Sequence, residues 1–175
     1  MEEDSGSEES HMDDVSGSEA EEMLPMRIGS EAEVRSDDPG FVGSFYEATV
    51  IRRYLTSRGR GYYTVRYSRL VTDDQRPLEE TAAAADVRPR PPGEESRREF
   101  SLYEAVEAFQ NDGWWAGIVS AVLPPVAGVP RKYQVALPTS RETVEFEETD
   151  LRSHRVYQAQ AGCWVPASEV VSGIN

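Results

Sequence analysis

The sequence predicts an all-β fold of two small five-stranded barrels in tandem, packed as one unit, behind a disordered acidic N-terminal tail. Two observations carry this prediction. From residue 29 onward, short segments rich in Val, Tyr, Phe and Thr alternate with Gly, Pro and Asp turns at spacings of about 8–12 residues. The same series of motifs then returns after about 65–70 residues, which indicates an internal repeat of one barrel's length.

The N-terminal residues 1–28 differ from the rest of the chain in composition. Residues 1–33 contain 12 acidic side chains and a single base, Arg27, whereas residues 34–175 contain 20 acids and 17 bases. A segment of Ser, Gly, Glu and Asp buries too little apolar surface to offset the entropy lost on ordering. Residues 1–28 are therefore predicted to be a disordered tail, and the serines beside its acids suit phosphorylation.

The first repeat, residues 29–92, is predicted from residue alternation and turn chemistry. The turn formers DDPG at 37–40 and SRGRG at 57–61 separate its first three strands. In the third strand Tyr63, Val65 and Tyr67 alternate with polar neighbours and so share one face. The expected strands are residues 31–36, 45–54, 62–68, 78–82 and a short closing piece near Val87.

The second repeat, residues 100–166, follows the same plan. AEV at 32–34 corresponds to VEA at 106–108, FYEATV at 45–50 to WWAGIV at 114–119, and YTVRY at 63–67 to YQVAL at 133–137. DVR at 86–88 likewise corresponds to DLR at 150–152. The proline-rich PRPPG at 89–93 runs into a linker, residues 93–99, and residues 167–175 are predicted to be a C-terminal tail.

Several classes of protein are excluded or disfavoured. Cys163 is the only cysteine, so no intrachain disulfide can form, and a reducing compartment is expected. No apolar run approaches the ~18 residues that span a bilayer, so no membrane partner is predicted. His11, His154 and Cys163 lack partners at metal-ligand spacing, and no phosphate-binding loop occurs. We therefore predict a protein that is not an enzyme and carries neither a metal nor another cofactor.

Several spaced motifs resemble one known family. NDGWWAGIV at 111–119, PTSRE at 138–142 and DLR at 150–152 resemble the second repeat of a plant tandem Agenet module. GSFYEATV at 43–50, TDD at 72–74 and PLEET at 77–81 resemble the first repeat, and GCWVP at 162–166 resembles the closing segment. The resemblance covers roughly residues 28–166.

This resemblance implies both a fold and a function. Agenet repeats are Tudor-like (SH3-like) five-stranded barrels in the Royal superfamily of methyl-lysine readers, and tandem pairs bind the histone H3 tail, including its heterochromatic methylated form. The expectation is therefore a nuclear chromatin reader whose partner is the histone H3 N-terminal tail. We expect it to act as a monomeric module of a longer chain.

The resemblance also selects candidate cage residues. Aromatic faces hold a methylated ammonium group with ~0.5–2 kcal/mol per contact. Tudor barrels supply these faces from the end of the first strand, the start of the second and the end of the third. Leu137 stands where the first repeat has Tyr67, which favours the first repeat as the methyl-lysine site. The cage expected there comprises Phe45, Tyr46 and Tyr67, with Asp73 and Asp74 in the following loop.

The second repeat is expected to hold unmodified residues of the same tail. Its acidic side chains suit basic partners, while its aromatic residues fit simple packing in a small barrel equally well, and both interpretations stay open. The candidate peptide contacts are Phe109, Asp112, Trp114, Trp115, Glu145, Glu147 and Glu148.

An arginine-rich hairpin offers the alternative function, a nucleic-acid-binding or scaffolding module. Its arginines are interleaved with Tyr54, Tyr62 and Tyr63, a pattern typical of phosphate contacts beside stacking platforms. A solvated hairpin paired with the chain's many acids explains the same pattern, so nucleic acid is the less favoured partner. The candidate residues are Arg52, Arg53, Arg58 and Arg60, together with Arg66 and Arg69.

Overall fold

The computed structural model describes residues 23–93 and 99–171, and these residues are almost entirely β-structure, which confirms the predicted fold class. The first repeat is an antiparallel sheet in the order β5-β1-β2-β3-β4. A 3-10 turn, Ala84–Asp86, leads from β4 into β5. The five strands are β1 (Glu31–Arg35), β2 (Phe45–Leu55), β3 (Gly61–Val71), β4 (Pro77–Ala83) and β5 (Val87–Pro89).

The second repeat has the same topology, in the order β10-β6-β7-β8-β9. Its strands are β6 (Ala105–Gln110), β7 (Gly113–Val122), β8 (Lys132–Leu137), β9 (Glu142–Glu147) and β10 (Leu151–Ser153). A separate hairpin of β11 (Arg155–Gln158) and β12 (Cys163–Pro166) follows, and a short helix, α1 (Ala167–Val171), occupies part of the segment predicted as a tail. No helix in the described ranges is both long and apolar enough to cross a bilayer.

Matching hydrogen bonds show that the repeats are equivalent residue by residue. In the first, the backbone N–H of Met26 donates to the Tyr63 hydroxyl at 3.3 Å. In the second, the N–H of Phe100 donates to the Tyr133 hydroxyl at 3.2 Å. Each hydroxyl thus satisfies a backbone group at the entry to its own barrel, where an unpaired N–H would be costly.

Each barrel has its own apolar core. The first core contains the fully buried Val50 and Val65. The second contains the equivalent pair, Val119 and Val135, which are also fully buried. Leu24 also belongs to the first core, and Met26 packs with it, although both lie in the stretch predicted as a disordered tail. The backbone at Gly61 leaves room for Leu24, because a Cβ there would lie 2.6 Å from Leu24 Cδ2. The rest of the predicted tail, residues 1–22, and linker residues 94–98 lie outside the described residues.

A buried group of charged side chains, the charged junction, joins the two repeats. Phe45 of β2 pairs with Trp114 of β7, and beside them lie Glu33, Arg88, Glu107 and Arg152. Arg88 Nη2 is 2.8 Å from Glu33 Oε1 and 3.3 Å from Glu107 Oε1. Arg152 Nη2 is 2.6 Å from Glu107 Oε1, and its Nη1 is 2.8 Å from Glu33 Oε2. Because each arginine binds a glutamate of both repeats, the junction fixes how the barrels are oriented.

Aromatic rings and one histidine complete the charged junction. The Arg88 guanidinium carbon lies 3.3 Å from the ring centroid of Phe45 and 4.9 Å from that of Trp164, while Arg152 lies 4.0 Å from Trp114. Burial raises the pKa of the Glu107 carboxyl. The hydrogen bond with His154 and the charges of Arg152 and Arg88 outweigh that effect and hold the pKa below its ordinary value.

Candidate binding site

A cavity of about 470 Å³ opens at one end of the first barrel. Its walls come from the β1–β2 loop, the C-terminal part of β3 and strand β4, with Asn111 of the second repeat at its edge. Three aromatic side chains line it together. Phe41 is exposed, whereas Tyr46 and Tyr67 belong to the first core and reach the cavity with only 8% and 6% of their surface exposed. The cavity lies within the size range of small-ligand sites, ~300–1,000 Å³.

Phe41 is presented by a loop that the second repeat lacks. Residues 36–44 connect β1 to β2, whereas only Asn111 and Asp112 connect β6 to β7. The loop folds on itself, since Gly43 N–H donates to Ser36 O and Phe41 N–H donates to Asp38 O, both at 2.9 Å. The Phe41 ring packs 5.8 Å from that of Trp115 and stays 43% exposed. One face of Phe41 is thus supported by the second repeat while the side chain remains accessible.

The Tyr67 hydroxyl is fixed by a carboxylate at the cavity. It donates to Glu80 Oε2 at 2.7 Å, and burial together with this carboxylate raises the pKa of Tyr67, so the hydroxyl stays protonated. Three further acids line the cavity: Asp37, Asp38 and Asp86, the last paired with Arg35 at 2.6 Å. The wall therefore combines aromatic rings with an excess of negative charge.

The equivalent end of the second barrel lacks both partners of that hydrogen bond. Val65 pairs with Glu80 in the first repeat, and its counterpart Val135 pairs with Val144 in the second. Leu137 takes the place of Tyr67, as the sequence indicated. Two polar partners are thus replaced together by two apolar residues.

The structure separates the predicted cage residues. Tyr46 and Tyr67 line the cavity, but Phe45, the residue before Tyr46, points to the opposite face of β2 and stacks on Arg88 in the charged junction. Asp73 and Asp74 lie in the β3–β4 turn and do not line the cavity. Asp74 is held there by Thr72 and by Arg76, and these contacts lower the pKa of its carboxyl.

The candidate peptide contacts of the second repeat also fall into separate places. Trp114 belongs to the charged junction, where Phe109 packs edge-on against it at 5.1 Å and in turn lies under Arg69. Trp115 is buried and supports Phe41. Asp112 is exposed beside Asn111 at the cavity edge. Glu145, Glu147 and Glu148 lie on or just after β9, and Glu145 pairs with Lys132 at 3.2 Å.

The arginine hairpin is formed by β2, β3 and the turn between them. Arg52, Arg58 and Arg60 are exposed, whereas Arg53 donates to the Leu24 carbonyl at 3.1 Å. Arg66 pairs with Glu79. Tyr54 and Tyr63, proposed as stacking platforms, are only 6% and 1% exposed, because both contribute to packing.

Phe41 and Glu80 were missed by sequence reasoning. Phe41 lies between Gly40 and Gly43 in a loop without periodicity, so only its aromatic character marked it out. Glu80 became significant only through its register opposite Val65. Within the described ranges, no group of three or more His, Cys, Asp or Glu side chains is placed to bind a metal ion.

Comparison with known proteins places these features in context. The Agenet domain family model matches residues 29–92. The chain is 33% identical over 150 residues to the Arabidopsis thaliana protein AGENET DOMAIN (AGD)-CONTAINING P1, and 30% identical over 149 residues to DUF724 domain-containing protein 3 of the same plant. Each match covers 82% of this chain, which spans only 28% and 20% of these relatives' lengths.

Two solved structures share the two-repeat architecture. The crystal structure of Arabidopsis thaliana AGDP1 AGD34 has a TM-score of 0.66 at 29% identity, covering 79% of this chain and 87% of that one. The crystal structure of ADCP1 tandem Agenet domain 3-4 has a TM-score of 0.66 at 25% identity, with coverages of 85% and 92%. Both similarities extend over most of the residues described above and therefore over both repeats.

Proposed function

The chain belongs to the Agenet domain family, and we propose that it is a nuclear chromatin reader that binds the histone H3 tail, with a methylated lysine in the cavity of the first repeat. Agenet domains are binding modules, and the proposal involves no catalysis and no cofactor. The resemblance of the sequence to tandem Agenet pairs supplies the choice of histone H3 and of a heterochromatic mark. The cavity supplies the mode of binding.

The aromatic rings of the cavity are the observation that carries the proposal. Phe41, Tyr46 and Tyr67 line one hollow, and the faces of such rings attract a diffuse alkylammonium charge. The cage therefore consists of Phe41, Tyr46 and Tyr67, with Phe41 in the place that the sequence analysis gave to Phe45.

The carboxylates of the cavity support the same ligand. Glu80 has one oxygen bound to Tyr67, which leaves its other oxygen for an ammonium N–H of a lower methylation state. Asp37 and Asp38 add attraction for the positively charged residues that flank a lysine in a histone tail. An uncharged ligand of the same size would lack the charge–charge attraction to these groups.

We place the methyl-lysine site in the first repeat because the second repeat has Leu137 and Val144 where the first has Tyr67 and Glu80. The apolar pair removes one ring and the carboxylate, so the second barrel cannot build the same cage. Its contribution to the ligand is at the edge of the first cavity, which Asn111 lines and next to which the exposed Asp112 follows in the chain. Asp112 is the acid of the second repeat that we assign to an unmodified basic residue of the tail.

Isothermal titration calorimetry tests the proposal with H3 N-terminal peptides that are unmodified or methylated at one lysine. We expect at least one methylated peptide to bind about tenfold more tightly than the unmodified peptide, a difference of ~1.4 kcal/mol. Phe41→Ala should abolish that preference. The control Tyr103→Ala removes an exposed ring in the second repeat and should preserve it. Equal binding of all the peptides, or an unchanged preference in Phe41→Ala, rejects the cage.

A further inference from the structure

One stretch of the chain contrasts with its overall net charge of -14. Residues 51–71, which form most of β2, the following turn and β3, contain six arginines and no acidic residue. Arg66 is neutralised by Glu79, Arg69 lies over Phe109, and Arg53 donates to a backbone carbonyl. The remaining three, Arg52, Arg58 and Arg60, are exposed.

Those three arginines have no acidic partner among the described residues, in a protein where most other arginines do. Arg35, Arg76, Arg90 and Arg131 are all exposed or half-buried, and each pairs with an Asp or Glu side chain. Surface acids are plentiful, so the unpaired arginines reflect local exclusion of carboxylates rather than a shortage of them. The absence of carboxylates around these arginines in the described part of the chain indicates a surface that binds an anion from outside the chain.

Another arginine without an acidic partner among the residues described, Arg27, lies beside the hairpin. The segment before β1 runs along β2, where the Leu24 carbonyl accepts from Arg53 and the Gly29 N–H donates to the Val50 carbonyl at 2.7 Å. Arg27 lies between these two anchors and is exposed. We name the surface formed by Arg27, Arg52, Arg58 and Arg60 the basic edge.

The turn that carries the basic edge has a defined conformation. Thr56 N–H donates to the Arg60 carbonyl at 2.9 Å, and Arg60 N–H donates to the Thr56 hydroxyl oxygen at 3.1 Å. Gly59 adopts a φ of +72°, which permits the tight reversal. Arg58 and Arg60 therefore extend from an ordered turn and lose less conformational freedom when they bind a ligand.

The two turn arginines of the basic edge, Arg58 and Arg60, lie at the end of β3 opposite the cavity, whereas Arg52 lies part-way along, opposite Thr64. Tyr67 lines the cavity, while Gly61 begins the strand beside the turn. Six residues of extended chain separate them by roughly 20 Å. Arg58 and Arg60 are therefore remote from the cavity.

We propose that the basic edge binds the phosphate backbone of duplex DNA without sequence preference. Guanidinium groups match phosphate oxygens in charge and geometry. Base stacking, which single strands use, needs free ring faces. The rings beside the basic edge have little free face, because Tyr54 is 6% exposed and stacks on Tyr62 at 5.7 Å. The chemistry therefore fits backbone contacts to a duplex, and the inference does not depend on the reader function.

Fluorescence anisotropy of the full chain with a labelled 20-base-pair duplex, measured across a salt series, tests this inference. The combined variant Arg52→Gln, Arg58→Gln and Arg60→Gln should bind at least tenfold more weakly. Because each lost phosphate contact lowers the slope of log K against log salt by about 0.9, the slope should become shallower by about 2.7. The control Arg66→Gln, Arg76→Gln and Arg141→Gln changes net charge equally and should stay within about threefold of wild type.

Three outcomes overturn the inference: no duplex binding by the wild type at 50 mM salt, an equal loss in both triple variants, or tighter binding of a single-stranded oligonucleotide than of the duplex. Absence of duplex binding, or an equal loss in both variants, would show that the basic edge is not a DNA-binding site. Tighter binding of the single strand would show that bases stack on the protein and that backbone contacts are not the main interaction. Methylated H3 peptide binding by the hairpin variant should be unchanged, so failure of the reader proposal is scored separately.

Discussion

The Tyr67 hydroxyl donates a 2.7 Å hydrogen bond to the Glu80 carboxylate, and the second repeat has Leu137 and Val144 in their places. The pair does two things at the cavity. The tyrosine supplies a ring face, and its hydroxyl holds the carboxylate where a bound ammonium group can meet it. These two contributions can be separated by substitution.

We predict that Glu80→Gln weakens binding of the methylated H3 peptide about tenfold, because it removes a charge-assisted contact of ~1.5 kcal/mol. Tyr67→Phe keeps the ring and the carboxylate and should bind within about threefold of wild type. Calorimetry with one peptide series measures both variants. Equal losses in the two would show that the ligand requires the hydroxyl that holds the carboxylate as much as the charge itself.

Methylation state gives a second readout of Glu80. A carboxylate oxygen accepts a hydrogen bond from a mono- or dimethylammonium N–H but not from a trimethylammonium group. Wild type should therefore prefer the lower states, and Glu80→Gln should reduce the ratio of dimethyl to trimethyl affinity. An unchanged ratio would place the bound ammonium away from Glu80.

Phe41 and Phe45 should have different effects when truncated. Phe41 is 43% exposed at the cavity, so Phe41→Ala should weaken methylated-peptide binding by ~0.5–2 kcal/mol with the melting temperature unchanged. Phe45→Ala removes the ring under Arg88 in the charged junction and should instead lower the free energy of unfolding by about 2 kcal/mol. Calorimetry and thermal melts of both variants check this, and the reverse pattern would restore Phe45 to the cage.

The β-strands were predictable from sequence because alternation and turn residues are local signals. Phe45 was assigned to the cage from its place at the start of a strand, although side chains alternate, so Phe45 and Tyr46 face opposite sides. Partners distant in the chain give no local signal: Glu33 and Arg152 meet across 119 positions. Likewise, Glu80 has a role only once the register of β3 and β4 is known.

The charged junction should contribute strongly to stability. Arg88→Ala leaves Glu33 and Glu107 buried with one guanidinium between them, and loss of one partner of a buried ion pair costs about 3–5 kcal/mol. Arg66→Ala, in the exposed pair with Glu79, is the control and should cost ~0.2–1 kcal/mol. Urea unfolding measures both, and a similar cost for the two variants would contradict the role given to the junction.

The stability of the junction should also depend on pH. The folded protein holds the pKa of Glu107 below its ordinary value of 4.5. Its contribution is therefore complete above about pH 4.5 and is lost as pH falls through the folded pKa. The free energy of unfolding of Glu107→Gln should lie below that of wild type at pH 7, and the gap should narrow below pH 4.5. The control Glu142→Gln, an exposed position, should show no such gap, and a constant gap down to pH 3 would contradict the mechanism.

Tyr103 has a strained backbone that the equivalent residue of the first repeat avoids. Its φ is +67°, and its N–H donates to the Val119 carbonyl at 2.8 Å. Gly29 has a φ of +90°, and its N–H donates to the carbonyl of Val50, the counterpart of Val119. A left-handed conformation costs an L-residue ~1–2 kcal/mol but costs glycine nothing. The Tyr103 side chain is 76% exposed, so its packing offsets little of that cost.

We therefore predict that Tyr103→Gly raises the free energy of unfolding, since relief of strain exceeds the ~0.5–1 kcal/mol that glycine loses in chain entropy. A gain of about 0.5 kcal/mol corresponds to a rise in melting temperature of ~1–2 °C. The reciprocal variant Gly29→Tyr places the strain in the first repeat and should lower the melting temperature by more than this. Differential scanning calorimetry of both variants measures these melting temperatures. A loss of stability in Tyr103→Gly would mean that the exposed ring makes contacts worth more than the strain it imposes.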